Sequence, residues 1–208
     1  MTLRKQDQVI ESERLRLRRM TDDDLPFIAR LHADPDVAKY IGHGKPRTLD
    51  ESRAWIEKVN QTYEQCQLGQ LLVIRKSDNA PIGRCGLAFL EVDPAPDDGG
   101  EPYGYFSIGE APPGKKTVLE RELGYTFARE VWGNGFAREA VAAVFDYAVK
   151  TLKTDRVLSL IHQENERSKR LASHFGATRV SALRAFGRPF AFDIYLWPIP
   201  PAGDKISP

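Results

Sequence analysis

The segment 131–140 reads Val-Trp-Gly-Asn-Gly-Phe-Ala-Arg-Glu-Ala, and the run 123–127, Leu-Gly-Tyr-Thr-Phe, lies shortly before it. The run is apolar and aromatic enough for a buried strand, and the two glycines lead into a helix. The first turn of a helix leaves amide N–H groups without partners, and these attract an anion together with the positive end of the helix dipole. Glycine also lets a ligand approach the main chain closely. The segment is therefore suited to hold a diphosphate.

The residues on either side of the glycine turn predict alternating strands and helices. Apolar residues recur at helical spacing from Ala140 to Leu152, and 155–162 is rich in β-forming residues. A second helical pattern follows Asn165, with Gly176 placed to cap its end. Because a strand-to-helix turn often needs glycine only for its geometry, the two glycines alone leave a purely structural role open.

Two blocks of this sequence resemble motifs of the GNAT family of acetyl-CoA-dependent N-acetyltransferases. The pyrophosphate loop of that family, Gln/Arg-x-x-Gly-x-Gly/Ala, falls on 132–137, with tryptophan at its first position. The motif Asn-x-x-Ala-x-x-Leu-Tyr-x-x-Leu-Gly-Phe falls without a gap on 165–177. The forms Glu-Leu-Gly-Tyr at 122–125 and Trp-Gly-x-Gly-Phe-Ala-x-Glu-Ala at 132–140 look most like the ribosomal-protein N-acetyltransferase branch. That branch also begins with a strand such as 13–18, Glu-Arg-Leu-Arg-Leu-Arg, and commonly has tryptophan in the loop. The resemblance covers residues 11–197.

The resemblance implies a fold of the α/β (α+β) class, formed as one N-acetyltransferase domain over residues 11–197. Its sheet is expected to be mixed and mostly antiparallel, with about six to seven strands, one splayed pair and about four flanking helices. Residues 1–10 and 198–208 are expected to be flexible tails. The Pro- and Gly-rich stretch 93–117 is expected to be an inserted loop or hairpin, with a short extra strand near 103–108. Its acidic residues fit either a solvated loop or a contact with a cationic acceptor.

Composition narrows the class of protein. The chain has 208 residues, 41% of them hydrophobic, and no apolar run long enough to span a bilayer. A net charge of +1 gives no general attraction to nucleic acid, and residues 1–10 lack the character of a secretory signal. Cys66 and Cys85 are too few for a disulfide framework, which favours buried thiols in the cytoplasm. We therefore expect a cytoplasmic protein with no nucleic-acid or membrane partner, and leave a homodimer open.

Other chemistries are disfavoured. Residues 109–116, Gly-Glu-Ala-Pro-Pro-Gly-Lys-Lys, come close to a phosphate-binding P-loop, but the two prolines lack N–H groups and Lys116 replaces the required hydroxyl. No Gly-x-Ser-x-Gly nucleophile motif is present, and neither cysteine has an activating neighbour in sequence. The histidines have no paired spacing for zinc, so we expect no metal. They are His32, His43, His162 and His174.

The resemblance implies roles for particular residues. The strand Leu123–Phe127 is expected to bond the pantetheine arm of acetyl-CoA, and one of its amides is expected to hold the oxyanion. Asn165 is expected to bond the pantetheine amides, to cap the next helix, or both. The complete expected set for coenzyme binding is Leu123, Tyr125, Thr126, Phe127, Trp132, Gly133, Asn134, Gly135, Phe136, Ala137, Arg138, Asn165 and Ser168.

Two residues are predicted to be catalytic. Glu122, one residue before the pantetheine-binding run, is the candidate base for the amine, although a salt bridge would equally explain a carboxylate there. Many relatives have a tyrosine at the position of Ala172 that protonates the thiolate, and Ser168 is the candidate replacement. The alternative for Ser168 is a small residue that packs closely against the ligand.

The resemblance implies an N-acetyltransferase that moves acetyl from acetyl-CoA to a primary amine in a ternary complex, with no covalent enzyme intermediate. The acceptor is expected to be a protein N-terminus or a small-molecule amine, selected by the segments 36–49, 91–117 and 190–197. The missing tyrosine and the open question of the base keep an alternative, a CoA-binding or sensing module that has lost turnover.

Overall fold

The computed structural model describes residues 9–66, 68–92, 105–107, 109, 111–184 and 191–200. The strands in chain order are β1 (Val9–Glu11), β2 (Leu15–Arg18), β3 (Gln70–Arg75), β4 (Ala80–Val92), β5 (Tyr105–Ser107), β6 (Val118–Phe127), β7 (Leu158–His162), β8 (Thr178–Arg184) and β9 (Ala191–Leu196). The α-helices are α1 (Leu25–Ala33), α2 (Pro35–Ala38), α3 (Leu49–Cys66), α4 (Phe136–Lys150) and α5 (Glu166–His174). None of the helices in these ranges is long and apolar enough to cross a membrane.

All of these strands belong to one mixed sheet. The order across it is β1-β2-β3-β4-β6-β7-β9-β8, and β5 pairs with the end of β4. Each pair is antiparallel except β6–β7, which is parallel and meets only at Glu122 and Leu158. This confirms the mixed, mostly antiparallel sheet with one splayed pair.

The described part of the chain has more elements than we expected: nine strands and five α-helices. The additional elements that the sequence did not predict are short, since β1 has three residues and α2 has four. Three residues cannot display an alternating pattern, so hydrophobic periodicity does not reveal them. Val9 and Ile10, which we assigned to the N-terminal tail, pair with β2 as part of β1.

The expected insertion is described only in part. The strand β5 pairs with Leu90–Val92 of β4, which supports a short extra strand within 103–108. Residues 93–104 lie outside the described residues, as do 1–8 and 201–208 of the expected tails. The thiol of Cys85 is buried, as expected, and the side chain of Cys66 lies outside the description.

The long ladder between β4 and β6 sets which side chains lie on each face of the sheet. Directly paired residues of an antiparallel ladder point to the same side. Arg84 and Thr126 form one pair, and Arg84 lies over the ring of Trp55 from α3. Cys85 and Tyr125 form the next pair, and Tyr125 reaches α5. The sheet therefore separates α1 and α3 on one face from α4 and α5 on the other.

Candidate functional site

The gap between β6 and β7 begins at a bridge of side chains. The Ser159 hydroxyl of β7 donates a hydrogen bond of 2.6 Å to the Leu123 carbonyl of β6, and the indole N–H of Trp197 donates to Ser159 Oγ at 2.9 Å. Past this bridge the two strands no longer pair. Because the bridge occupies the Leu123 carbonyl, main-chain groups of β6 become available to a ligand only beyond that atom.

A cavity of about 1020 Å³ opens beside this gap. Its wall is formed by the end of β6, the glycine turn with the start of α4, the start of α5, and α2 with the residues after it. Most residues predicted to bind coenzyme line it: Tyr125, Thr126, Phe127, Trp132, Gly133, Gly135, Phe136, Ala137, Arg138, Asn165 and Ser168. Glu122, Leu123 and Asn134 are not in the lining, and the segment 36–41 joins it from a part of the sequence with no motif.

The glycine turn has the backbone conformation that its sequence suggested. Gly133 and Gly135 have φ values of 81° and 78°, in the left-handed region that favours glycine. A side chain added at Gly133 would meet no atom within 4 Å, so the main chain there faces open space. Gly135 caps α4, whose first-turn amides are directed at this space. The turn therefore fits a diphosphate group.

The side chains of Trp132 and Asn134 stabilise this turn through hydrogen bonds to nearby main-chain carbonyls. The Trp132 indole N–H donates a hydrogen bond of 2.9 Å to the Phe127 carbonyl, which ties the turn to the end of β6. The Asn134 side-chain amide donates to the carbonyls of Val131 and Trp132 at 3.2 and 3.3 Å. Arg167 of α5 lies 4.4 Å above the Trp132 ring, so the tryptophan also joins the two walls of the cavity.

A buried carboxylate fastens the glycine turn to the N-terminal hairpin. Glu139, in the first turn of α4, accepts hydrogen bonds from the Ser12 hydroxyl at 2.6 Å, the Arg14 amide at 2.7 Å and Arg14 Nε at 2.6 Å. Arg14 Nη1 also donates to the Asn134 carbonyl at 3.1 Å. Burial by itself would raise the pKa of Glu139, but these hydrogen bonds and the Arg14 charge hold it below its ordinary value. No local pattern predicts this contact, because its partners are more than a hundred residues apart.

Tyr125 and Ser168 form a hydroxyl pair at the wall of the cavity. Their oxygens are 2.6 Å apart, and either one is able to donate. Burial raises the pKa of the Tyr125 phenol, which is therefore protonated at neutral pH. Asn165 Oδ1 accepts a hydrogen bond from the Ser168 amide at 3.2 Å, so that it caps α5. Ala172 is fully buried one turn further along the helix.

Glu122 lies on the other face of the sheet from this pair. It is partly exposed and directly opposite Ala88 of β4, and its charge partly offsets the lowering of the Arg84 pKa that burial causes. The parallel contact with Leu158 places it at the last paired position before the gap. The Glu122 carboxylate therefore lies close to the point where β6 and β7 separate.

The histidines show no arrangement for metal binding. Burial lowers the pKa of His32 to about 3, and its Nδ1 lies 3.1 Å from Ser52 Oγ. His162 Nδ1 accepts a hydrogen bond from the Glu164 amide at 3.0 Å, so this nitrogen carries no proton. Across the described ranges, no group of three His, Cys, Asp or Glu residues is placed to hold a metal ion.

Comparisons with known proteins agree with this geometry. The sequence profile of the acetyltransferase (GNAT) domain matches residues 14–178. An uncharacterised N-acetyltransferase, p20 of Bacillus licheniformis, is 25% identical over 192 residues, which are 91% of this chain and 94% of that protein.

Solved structures show the same fold. A crystal structure of an acetyltransferase from Agrobacterium tumefaciens superposes with a TM-score of 0.69 and 22% identity, covering 92% of this chain and 94% of that chain. RimL, a ribosomal L7/L12 alpha-N-protein acetyltransferase, in complex with coenzyme A, gives a TM-score of 0.67 and 14% identity, covering 92% of this chain and 98% of that chain.

Replacing Gly135 by glutamate should abolish binding of acetyl-CoA. The added carboxylate would repel the diphosphate and fill the space in front of the α4 amides. Isothermal titration calorimetry measures the effect. Gly114→Glu is the matched control, because Gly114 has a similar φ of 81°, lies in open space and is absent from the cavity wall. Coenzyme affinity that is equal in the two variants would contradict this placement of the diphosphate.

Replacing Glu139 by glutamine should lower the free energy of unfolding at pH 7 by about 1.5–3 kcal/mol, the range for hydrogen bonds to a charged group. Because folding lowers the pKa of this carboxyl, its contribution is complete above the ordinary value of 4.5 and is lost as the pH falls through the folded value. Urea unfolding from pH 7 to pH 3 should show the difference from the wild type shrinking in that window. Asp146→Asn removes only an i,i+4 pair with Lys150 and should differ little from the wild type. A deficit in Glu139→Gln that stays constant below pH 4.5 would argue against the clamp.

Proposed function

The chain belongs to the GNAT family of acetyltransferases, whose members transfer acetyl from acetyl-CoA to an amine, and we propose that here the amine attacks acetyl-CoA directly in a ternary complex. One observation carries the proposal. The glycine turn with its amide donors and the Tyr125–Ser168 hydroxyl pair line one cavity, beside the gap between β6 and β7. Anion binding and proton donation are thus available to the two ends of one extended ligand.

Binding of the coenzyme rests on main-chain groups. Gly133 and Gly135 bring backbone amides to the surface of the cavity, and the dipole of α4 adds positive potential. The end of β6 offers unpaired main-chain groups beyond the Leu123 carbonyl, where an extended amide-bearing arm replaces the missing strand partner. Acetyl-CoA supplies an activated acetyl carbonyl to this site.

The main chain of β6 also serves the acyl transfer. As the amine attacks, negative charge develops on the carbonyl oxygen, and a strand N–H beyond the Leu123 carbonyl, at Gly124 or Tyr125, stabilises it. A preorganised donor of this kind is worth about 3–4 kcal/mol in other enzymes. Gly124 of this run is only partly exposed, and the Gln70 side-chain amide packs against the space that a Cβ would occupy there.

Tyr125 is the proton donor in this proposal, with Ser168 as its hydrogen-bonded partner. Ala172 leaves α5 without the tyrosine that many relatives have, and the Tyr125 side chain from β6 brings a phenol to the same helix. A phenol whose pKa is raised keeps its proton until the thiolate departs. This assignment replaces the direct role that the sequence suggested for Ser168, and it weakens the main argument for a module without turnover.

Glu122 is the base in this proposal. It lies at the start of the gap on the face opposite Tyr125, so that base and acid approach the reacting carbon from opposite sides of the sheet. A carboxylate there accepts the amine proton directly or through one water. The arrangement requires the acceptor to enter from the side of α1 and α3.

The acceptor is a primary amine on a protein N-terminus or a small molecule. The likeness to an enzyme named for the N-terminus of ribosomal L7/L12 supports a protein acceptor. The segment 36–41 forms part of the cavity wall, and Arg129 joins α2 to the end of β6 through a 2.9 Å contact with Asp36. We place the reaction in the cytoplasm.

Calorimetry with acetyl-CoA, followed by release of free thiol over a panel of amines, tests the function as a whole. Coenzyme binding together with thiol release that depends on an amine is the expected result. Tight binding without turnover of any amine would instead support a CoA-binding or sensing module.

Replacing Tyr125 by phenylalanine should lower kcat by roughly 10²-fold and leave the KM for acetyl-CoA nearly unchanged. General acid catalysis typically contributes at least this much, and the coenzyme is held mainly by main-chain groups. Steady-state thiol release gives both constants. Ser168→Ala keeps the phenol and should lose much less activity than Tyr125→Phe. The opposite ranking of the two variants would return the acid role to Ser168.

Replacing Glu122 by glutamine should lower turnover most at pH values below the pKa of the acceptor amine, where the attacking nitrogen still carries a proton. The deficit should shrink as the pH rises and the amine loses its proton to solvent. Profiles of kcat/KM against pH measure this. Glu120→Gln is the matched control, because Glu120 lies on the same strand and pairs with Arg156 at 2.7 Å. Full activity of Glu122→Gln at every pH would remove Glu122 from the mechanism.

A further inference from the structure

A buried arginine lies beneath the sheet on the side of α1 and α3. Arg84 of β4 is only 8% exposed, and its guanidinium lies 4.8 Å from the ring centre of Trp55. Arg84 Nη1 donates a hydrogen bond of 2.8 Å to Gln70 Oε1. The Gln70 amide in turn donates to the Gly86 carbonyl at 3.0 Å, which fixes the glutamine. The arginine is therefore held in one orientation by neutral groups.

The charge of Arg84 has no carboxylate partner in contact. Within the described ranges, no carboxylate oxygen lies within 4.0 Å of its nitrogens, and its Nε makes no hydrogen bond. Burial and the nearby charge of Arg47 lower the pKa of Arg84 to about 10, while Glu122 acts in the opposite direction from beyond contact distance. A buried charge without a paired charge is unfavourable. Such a group is well suited to receive an anion that arrives with a ligand.

Two more unpaired polar atoms lie around this guanidinium. Thr126, directly opposite Arg84 in the β4–β6 ladder, is 7% exposed, and its hydroxyl has no partner. His32 is 3% exposed, contacts the edge of the Trp55 ring, and has an Nε2 without a partner. The pKa of His32 is lowered first by burial and then by the charge of Arg84 itself. Side chains from α1, β4 and β6 thus converge with unused hydrogen-bonding capacity around the Arg84 charge, with the charge of Arg47 nearby.

This cluster lies on the side from which the acceptor must approach. Thr126 belongs both to the cluster and to the cavity wall, and β6 continues from it to Glu122 on the same face. Arg84 does not itself line the cavity, so a carboxylate would reach it past Thr126, the residue that faces both. The positive charge of Arg84 favours an acceptor with a negative group, whereas the acidic residues of the segment 93–117 would favour a cationic acceptor.

Resting on the acetyltransferase function proposed above, we infer that the acceptor carries a carboxylate near its amine and that Arg84, with the Thr126 hydroxyl, binds that carboxylate. Arg84 is in this role a specificity-determining residue, and it takes no part in proton transfer. Two kinds of acceptor carry a carboxylate near a primary amine. One is a free amino acid, and the other is a peptide with an acidic residue at its N-terminus.

Matched acceptors test the inference. Leucine is compared with leucinamide, and a peptide amide beginning with aspartate is compared with one beginning with asparagine, each by kcat/KM with the wild-type enzyme. We expect the carboxylate member of one pair to be preferred by roughly 10- to 100-fold, the range for a hydrogen bond to a charged group. The favoured pair identifies the source. Equal rates within both pairs would overturn the inference without any variant.

Arg84→Met removes the charge and keeps an unbranched side chain. It should abolish the preference for the carboxylate acceptor and leave the neutral acceptor within about threefold of the wild type. The preference is the ratio of kcat/KM for the two acceptors of a pair, and it is compared between Arg84→Met and the wild type. This comparison removes the effect of the different amine pKa values of the two acceptors, because both enzymes meet the same pair. Arg30→Met is the control, because Arg30 is an exposed arginine of α1 that lies over the Phe27 ring.

Three other results have definite meanings. An equal loss of kcat for charged and neutral acceptors in Arg84→Met would show that the arginine acts through Glu122, and would overturn the inference. If Arg84→Met does not fold, Arg84→Lys takes its place in the test. This variant keeps the positive charge and should retain part of the preference for the carboxylate acceptor. Binding of acetyl-CoA without acetylation of any amine would refute the proposed function and the inference together.

Discussion

The break in the pairing of β6 and β7 is the constraint on which the site depends. Two parallel strands in the middle of a sheet normally satisfy each other's main-chain groups, and groups left unpaired in the interior are unfavourable. Here the strands meet only at Glu122 and Leu158, and the Ser159 hydroxyl takes over at the Leu123 carbonyl. Trp197 holds that hydroxyl in place. The gap is thus closed firmly at one end and opens at the other, where the end of β6 lines the cavity.

Local patterns in the sequence predicted the parts of the site that local geometry determines. The glycine turn needs positive φ at Gly133 and Gly135, and only residues next to one another in the chain decide this. The likeness to a known family supplied the fold and the splayed strands, which periodicity alone would not give. The short elements β1 and α2 were missed because so few residues carry no recognisable period.

Contacts between distant segments account for what the sequence did not reveal. Tyr125 was expected to contribute its main chain, yet its side chain crosses to Ser168, 43 residues later. Arg84 and Thr126 are neighbours only because β4 and β6 pair in one register out of many. The family motif located the helix that lacks a tyrosine, and the three-dimensional arrangement shows how another strand brings a phenol to it. A substitution at one position of a motif is therefore best interpreted together with the residues that reach the same space.

The clamp between Glu139 and the N-terminal hairpin has a consequence for how the chain matures. The Arg14 amide and the Glu139 carboxylate are 125 positions apart, so the loop that we propose holds the coenzyme reaches its final form only after both ends of the domain have met. Contacts of such long range close slowly and late, since the intervening chain must lose its freedom first. During synthesis on the ribosome, a partly made chain would carry the hairpin long before it could engage a ligand. Coenzyme captured afterwards would in turn protect the first strands from amide exchange and from proteases.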